Sequence, residues 1–122
     1  MNTPDFSIVT ANLNGARYLR DCLQSVADQG GVTVEHLVID GGSSDDSEQI
    51  VSDFPKVVFH QGEDSGMSDA INRGFQMAKG RWVMWLNGDD RLKVGALKRV
   101  LQFASDHEEA DVIYGGWDFV DA

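Results

Sequence analysis

Cationic side chains are scarce in this chain: 10 Lys and Arg stand against 20 Asp and Glu, for a formal net charge of −10. A surface of that sign repels nucleic-acid phosphate, so nucleic acid is not an expected partner. Any phosphorylated small ligand must be drawn in locally, by helix N-termini or by a bound cation. Cysteine is nearly absent too. With Cys22 alone, the chain can form neither an internal disulfide nor a cysteine-built zinc site. Cys22 falls on the apolar side of a helical repeat, where a buried, inert thiol is expected. No apolar run approaches the roughly 18 residues of a membrane span, and residues 1–5 lack the charged and apolar regions of a secretory signal. The expectation is a cytoplasmic protein with no transmembrane segment. Only 2 prolines interrupt 122 residues, of which 42% are hydrophobic. That is enough for one core and little more, so 1–122 reads as a single domain.

What is present is a regular alternation of two hydrophobic periods. Residues 6–10 read as a strand, followed by the polar turn 11–15. Leu19, Cys22, Leu23 and Val26 then recur at helical spacing until Gly30 and Gly31. Residues 34–39 predict a second strand and 40–44 a turn. Asp45, with Glu48 three residues on, resembles a helix start whose apolar face is Ile50, Val51 and Phe54. A third strand is predicted over 56–59 and a loop over 62–66. Ala70, Ile71, Phe75 and Ala78 then give an amphipathic helix ended by Gly80. Residues 82–86 do not alternate at all, as in a strand covered on both faces, which predicts that they form the sheet centre. A fourth helix is predicted over 92–103 and a fifth strand over 112–114.

Strands alternating with helices in this way predict an α/β fold with a mostly parallel sheet and flanking helices. In such sheets ligands bind outside the carboxyl ends of the strands. The polar residues following each strand are Thr10, Asn12 and Asn14; Asp40 to Ser43; Glu63, Asp64 and Ser65; and Asn87, Gly88, Asp89 and Asp90. All would converge on one edge. Adjacent carboxylates at Asp89 and Asp90 repel, so they must be solvated, hydrogen-bonded or bound to a cation. Hard cations such as Mg²⁺ and Mn²⁺ take one or two carboxylates plus phosphate oxygens, and Gly88 would let a diphosphate reach the backbone. Alternatively, Asp90 caps the following helix and Asp89 faces water. Asp40 before two glycines suits a carboxylate accepting from the edge of a flat ring, or a turn-forming Asp. Asp64 and Asp69 could touch sugar or ribose hydroxyls, or serve as a loop acid and a first-turn helix acid. Arg73 and Arg91 could face phosphate or water. His36, His60 and His107 form no ligand-spaced set.

Three segments, FSIVTANLNGARYLRDCLQSVADQ, EHLVIDGGSSDDS and EDSGMSDAINRGFQMAKGRWVMWLNGDD, together span nearly the whole chain. In this order and spacing they resemble the family-two inverting glycosyltransferases of GT-A fold, which transfer sugars from nucleotide donors. The resemblance implies a Rossmann-like nucleotide-sugar-binding fold, truncated on its C-terminal side. It also implies that Thr10 and Asn12 border the nucleobase and that Asp40 recognises its edge, often uracil. Asp89 matches the last acid of the family's Asp-x-Asp motif, which holds Mn²⁺ or Mg²⁺ on the diphosphate. Asp90 fits the acid that often follows. Asn87 stands where the first acid usually stands, leaving a hydrogen-bonding group for ribose or metal-bound water but one charge fewer.

The activity implied is transfer of a sugar, from a uridine-diphosphate donor above all, to an acceptor hydroxyl with inversion. The acceptor would be a glycan or a lipid-linked molecule, in bacterial polysaccharide or cell-surface glycan synthesis. In that family the general base is a carboxylate beyond the fifth strand. Asp118 and Asp121 precede the region that carries it, so the base is expected beyond Ala122. The expectation is therefore a donor-binding part without acceptor site or base, peripheral to the membrane in a full-length protein. Uncovered apolar surface would favour a homo-oligomer. Two other readings share the pattern: a non-catalytic nucleotide-binding module, and a receiver-like signalling domain, though Asn12 and Asn14 stand where a receiver needs acids. A dinucleotide dehydrogenase is disfavoured, since no G-x-G-x-x-G follows the first strand.

Overall fold

The computed structural model describes residues 3–116 and 118. Four strands and four helices alternate along them: β1 (Phe6–Asn12), α1 (Ala16–Ala27), β2 (Val34–Asp40), α2 (Ser47–Ser52), β3 (Val58–Gln61), α3 (Met67–Met77), β4 (Trp82–Trp85) and α4 (Ala96–Asp106). The strands pair in the order β3-β2-β1-β4, and every pair is parallel. This is the 3-2-1-4 order of a Rossmann-type half. A receiver domain would set β1 between β2 and β3, so that reading is set aside.

Alternation along β1 divides the core between two faces. Phe6 and Ile8 pack with Cys22 and Val26 of α1, with Leu86, and with Leu97 of α4. Leu19 and Leu23 of α1 meet Val38 and Val51 on the same face. Val9, Leu37 and Ile39 point the other way, against Ala70 of α3. Helix α1 buries Leu19, Cys22, Leu23 and Val26, the stripe its spacing predicted. Full burial of each leucine there stabilises the fold by roughly 1.5–3 kcal/mol. Gly74 lets α3 lie against the sheet: a Cβ at that position would stand 2.3 Å from a Val9 methyl.

Five sequence expectations are corrected. Strand β4 is an edge of the sheet among the described residues, not its centre: Val83 and Trp85 are 49% and 57% exposed, while Trp82 and Met84 face the α1–α4 core. The interior positions belong to β2 and β1, and the first five residues of β1 are all buried. An unbroken apolar strand shows that both faces are apolar, but not that both are covered. Residues 112–114 form no strand, and Val112 and Tyr114 are largely exposed. The third strand begins at Val58 rather than at residue 56, and the fourth helix at Ala96 rather than at residue 92. Asp45 does not start α2; Asp46 precedes it, and Asp45 has another use described below.

Candidate functional site

The carboxyl ends of β1 and β4, the start of α1 and the loop before α3 enclose a hollow of about 430 Å³. Asn12, Gly15 and Tyr18 line it on one side, Asp64 and Met67 on another, and Asn87, Gly88 and Asp89 close it. A second hollow, of about 500 Å³, lies beside α1 near the beginning of β2, floored by Val34 and His36. It is at the wrong end of the strands to receive the converging loops, so the first is the candidate ligand site.

Parallel register explains why the site residues meet. Asn12 is the direct partner of Asp40, and Asp40 of Gln61, so the last residues of three strands form one row. The Asp40 carboxylate is completely buried and fully engaged. One oxygen accepts the Gly42 and Ser43 amides at 2.9 and 2.7 Å, and the other accepts the Ser43 hydroxyl and Asn12 Nδ2 at 2.7 and 2.9 Å. Burial pushes its pKa up, but these donors outweigh burial and hold it below the usual carboxylate range.

The loops after β1 and β2 are laced together. Ser43 Oγ accepts the Asn14 amide, and Asn14 Oδ1 accepts the Ser44 amide, at 2.8 Å each. Asn14 has a left-handed φ of 53°, a conformation asparagine adopts more readily than most residues, and the contact with Ser44 holds its side chain there. Asp45 Oδ2 accepts the Ala16 amide, so the start of α1 is capped by a residue 29 positions away, while Asp45 Oδ1 serves Ser47. These hydrogen bonds hold the Asp45 carboxyl below its ordinary pKa. Two other carboxylates close the start of α3: Asp64 accepts the Gly66 amide and Asp69 the Ser65 amide.

The structure brings together Asn12, Asp64, Asn87, Gly88 and Asp89, with Asp40 directly behind Asn12. It does not bring Thr10 to the hollow. Thr10 lies on the α1 face of β1 and is fully buried, with its hydroxyl 2.8 Å from His36 Nε2 and 3.9 Å from Cys22 Sγ. Nor does Asp69 line the hollow; it stands in the first turn of α3, accepts the Ser65 amide from the loop before it and pairs with Arg73 at 3.2 Å. Asp90 is exposed beside the site and caps no helix, since Gly95 precedes α4. Arg91 lines a separate recess with Asp21 and Asp28. Asp118 pairs with Lys93. Asp121 and Ala122 lie outside the described residues, and so does the general base expected beyond Ala122. Cys22 is buried, with its pKa pushed up to about 11 chiefly by desolvation, as suits an inert thiol.

Tyr18 and Met67 were missed by sequence reasoning. Tyr18 sits one turn into the helix that begins just after Gly15, so the turn signal there could have pointed to it. Among the described residues no group of three or more His, Cys, Asp or Glu side chains could hold a metal ion. Asp89 is exposed at the mouth, and Asn87 Oδ1 is buried without a hydrogen-bond partner. This donor set fits a hard cation only if its remaining positions are filled by ligand oxygens and water, which is how Mg²⁺ is commonly held.

A parallel sheet of order 3-2-1-4, with its loops gathered around a hollow at the strand ends, defines an α/β protein of Rossmann-like fold. The model of the family "Glycosyl transferase family 2" matches residues 7–121, and the chain belongs to that family. A PGL/p-HBAD biosynthesis glycosyltransferase of Mycobacterium tuberculosis is 38% identical over 121 residues, covering 94% of this chain and 47% of the relative. The chain thus spans about half the length of the curated relatives it matches first. S. aureus TarS, solved in complex with UDP-GlcNAc, superimposes with a TM-score of 0.78 at 25% identity, over 84% of this chain and 32% of that one. A mannosyltransferase of Pyrobaculum calidifontis shares the fold with a TM-score of 0.72 at 19% identity, over 87% of this chain and 34% of its own.

Proposed function

We propose that this chain binds the donor of a nucleotide-sugar glycosyltransferase, a uridine-diphosphate sugar, and positions it for transfer to an acceptor hydroxyl. The observation that carries the reading is the hollow at the strand ends, where Asn12, Asn87, Gly88 and Asp89 meet. The similar TarS holds UDP-GlcNAc, which supports the donor class. In this reading the base lies against Tyr18 and Asn12, the ribose beside Asp64 and Asn87, and the diphosphate over Gly88 toward Asp89.

The electrostatics favour a cation-assisted site. Asp45, Asp64 and Asp69 already occupy amides at the starts of α1, α2 and α3, setting negative charge where a helix would otherwise attract phosphate. Asp89, with Asp90 adjacent, would hold Mn²⁺ or Mg²⁺. A cation bound there supplies charge stabilisation for the leaving diphosphate. The chain's own residues bind and orient: Asn12 and Asn87 present hydrogen-bond acceptors, and Gly88 leaves room for the phosphates. Transfer proceeds by in-line attack with inversion, and the acceptor, a glycan or lipid-linked hydroxyl, meets a general base supplied from beyond Ala122 in a longer protein. There this part would work in the cytoplasm, at the membrane periphery, in cell-surface glycan synthesis. No helix among the described residues is long and apolar enough to cross a membrane.

Calorimetric titration tests this reading. UDP should bind in Mn²⁺ or Mg²⁺ at least tenfold more tightly than in chelator, and Asp89→Ala should abolish that difference. Binding indifferent to both the cation and Asp89 overturns the proposal.

A further inference from the structure

We infer that Ser25 and Gln29, at the opposite end of α1 from the hollow, are positioning residues that hold the loop carrying Asp89 in the course a cation and a diphosphate need. The inference rests on the donor-binding reading above. Residues 86–95 join β4 to α4 without regular structure, and they carry Asp89 and Asp90, both exposed, whose adjacent charges repel. Such a loop has no fixed course of its own, so its bonds to the rest of the molecule set it. At one end the Leu86 amide donates to the Val9 carbonyl at 2.8 Å, and Gly88 packs so closely that a Cβ there would stand 3.2 Å from Asn12 Oδ1. This end belongs to β1.

The other end is held from α1. Ser25 Oγ accepts the Leu92 amide at 3.0 Å, three residues beyond Asp89, while donating to the Cys22 carbonyl of its own helix at 2.7 Å. Gln29, just past the helix and 8% exposed, uses both ends of its amide on the same segment. Its Nε2 donates to the Lys93 carbonyl at 2.9 Å and to the Ser25 carbonyl at 3.1 Å, and its Oε1 accepts the Leu97 amide at 3.0 Å. That amide is one of those the first turn of α4 leaves without an intrahelical partner, and Gly95, which precedes the helix, has no side chain to offer it. Neither Ser25 nor Gln29 lines the hollow. Leu97 already packs in one cluster with Cys22 and Val26, but apolar contact is non-directional and lets a segment slide. What the polar bonds add is a fixed register for residues 92–97, and with it the point from which Asp89 is presented.

The consequence is read in cation-dependent binding rather than in stability. UDP and UMP are titrated into the unaltered chain, Gln29→Ala, Ser25→Ala and Ser25→Thr, with Mg²⁺ and in chelator, and melting temperatures are recorded beside them. Gln29→Ala and Ser25→Ala should each bind UDP in Mg²⁺ roughly tenfold more weakly, the lower end of what losing support behind a metal ligand costs. Their affinity for UMP in chelator, which draws on the end of the loop tied to β1, should stay unchanged. Ser25→Thr keeps the hydroxyl and should keep the gain that Mg²⁺ gives to UDP. A merely structural role would lower the melting temperature and leave that gain intact, or weaken both nucleotides alike; either result overturns the proposal. If Gln29→Ala does not fold, the two Ser25 variants decide: the same gain in both overturns the proposal, and a loss confined to Ser25→Ala upholds it. An unaltered chain that binds UDP no better in Mg²⁺ than in chelator overturns the donor-binding reading itself, a separate outcome seen before any variant is compared.

Discussion

His36 is 5% exposed, its Nε2 is bonded to Thr10, and its Nδ1 has no partner. Burial disfavours the charged ring and lowers its pKa from 6.5 to about 4. Between those values the unfolded chain binds a proton that the folded chain does not. Unfolding is therefore favoured progressively as pH falls from about 6.5 to about 4, and above 6.5 the contribution is constant. The full loss amounts to about 3 kcal/mol. The depressed pKa of Asp40 acts in the same direction, but only at lower pH, as its folded-state carboxylate is protonated. Urea unfolding across pH 4 to 7 should show this slope in the unaltered chain and a much flatter one in His36→Gln. An unchanged slope in that variant would assign the acid sensitivity elsewhere. Thr10 shows the same limit on reading a residue from sequence. Its position at a strand end was legible, but its direction was not, because face assignment depends on register with β2, and register placed His36 within reach of its hydroxyl.

Elements were more legible than their surroundings. The apolar stripe of α1, the strands over β1 and β2, and the gathering of polar loops at one edge all follow from local periodicity, which the chain carries in any context. The place of β4 does not. Trp82 to Trp85 is uniformly apolar, and only the strand order reveals that α3 leaves Val83 and Trp85 uncovered. Close approach between elements is equally invisible until the backbone is placed. Gly80 reads as a helix stop, yet a Cβ there would lie 2.4 Å from the Ser7 amide nitrogen, and its own amide donates to Ser7 Oγ. Gly80→Ala must displace backbone at the start of β1, whereas Gly74→Ala meets the Val9 side chain. Each should cost about 1–3 kcal/mol, with Gly80 at the upper end. Thermal denaturation of the two variants checks this, and a melting point for Gly80→Ala equal to that of the unaltered chain would contradict it.

At the scale of the whole molecule, a net charge of −10 has to accommodate a dianionic or trianionic nucleotide. The acids are not spread evenly: Asp45, Asp64, Asp69, Asp89 and Asp90 all stand at or near the ligand edge, and three of them accept amides at or just before helix starts, placing negative charge where a helix would otherwise attract phosphate. The cations that sequence analysis put forward are committed elsewhere, Arg73 to Asp69 and Arg91 to a separate recess. Without a divalent cation, each added phosphate should therefore weaken binding. UMP should bind more tightly than UDP in chelator, and added NaCl should improve UDP binding by screening the repulsion, since charges roughly 10 Å apart are largely screened near 0.1 M salt. With Mg²⁺ the order should reverse, because only the diphosphate completes the coordination that Asp89 begins. Titration of both nucleotides with and without Mg²⁺, at low and moderate salt, measures all of this. If UDP outbinds UMP in chelator, the diphosphate is held by a positive group outside the acids and helix starts described, and the cation is not what reconciles this acidic edge with its ligand.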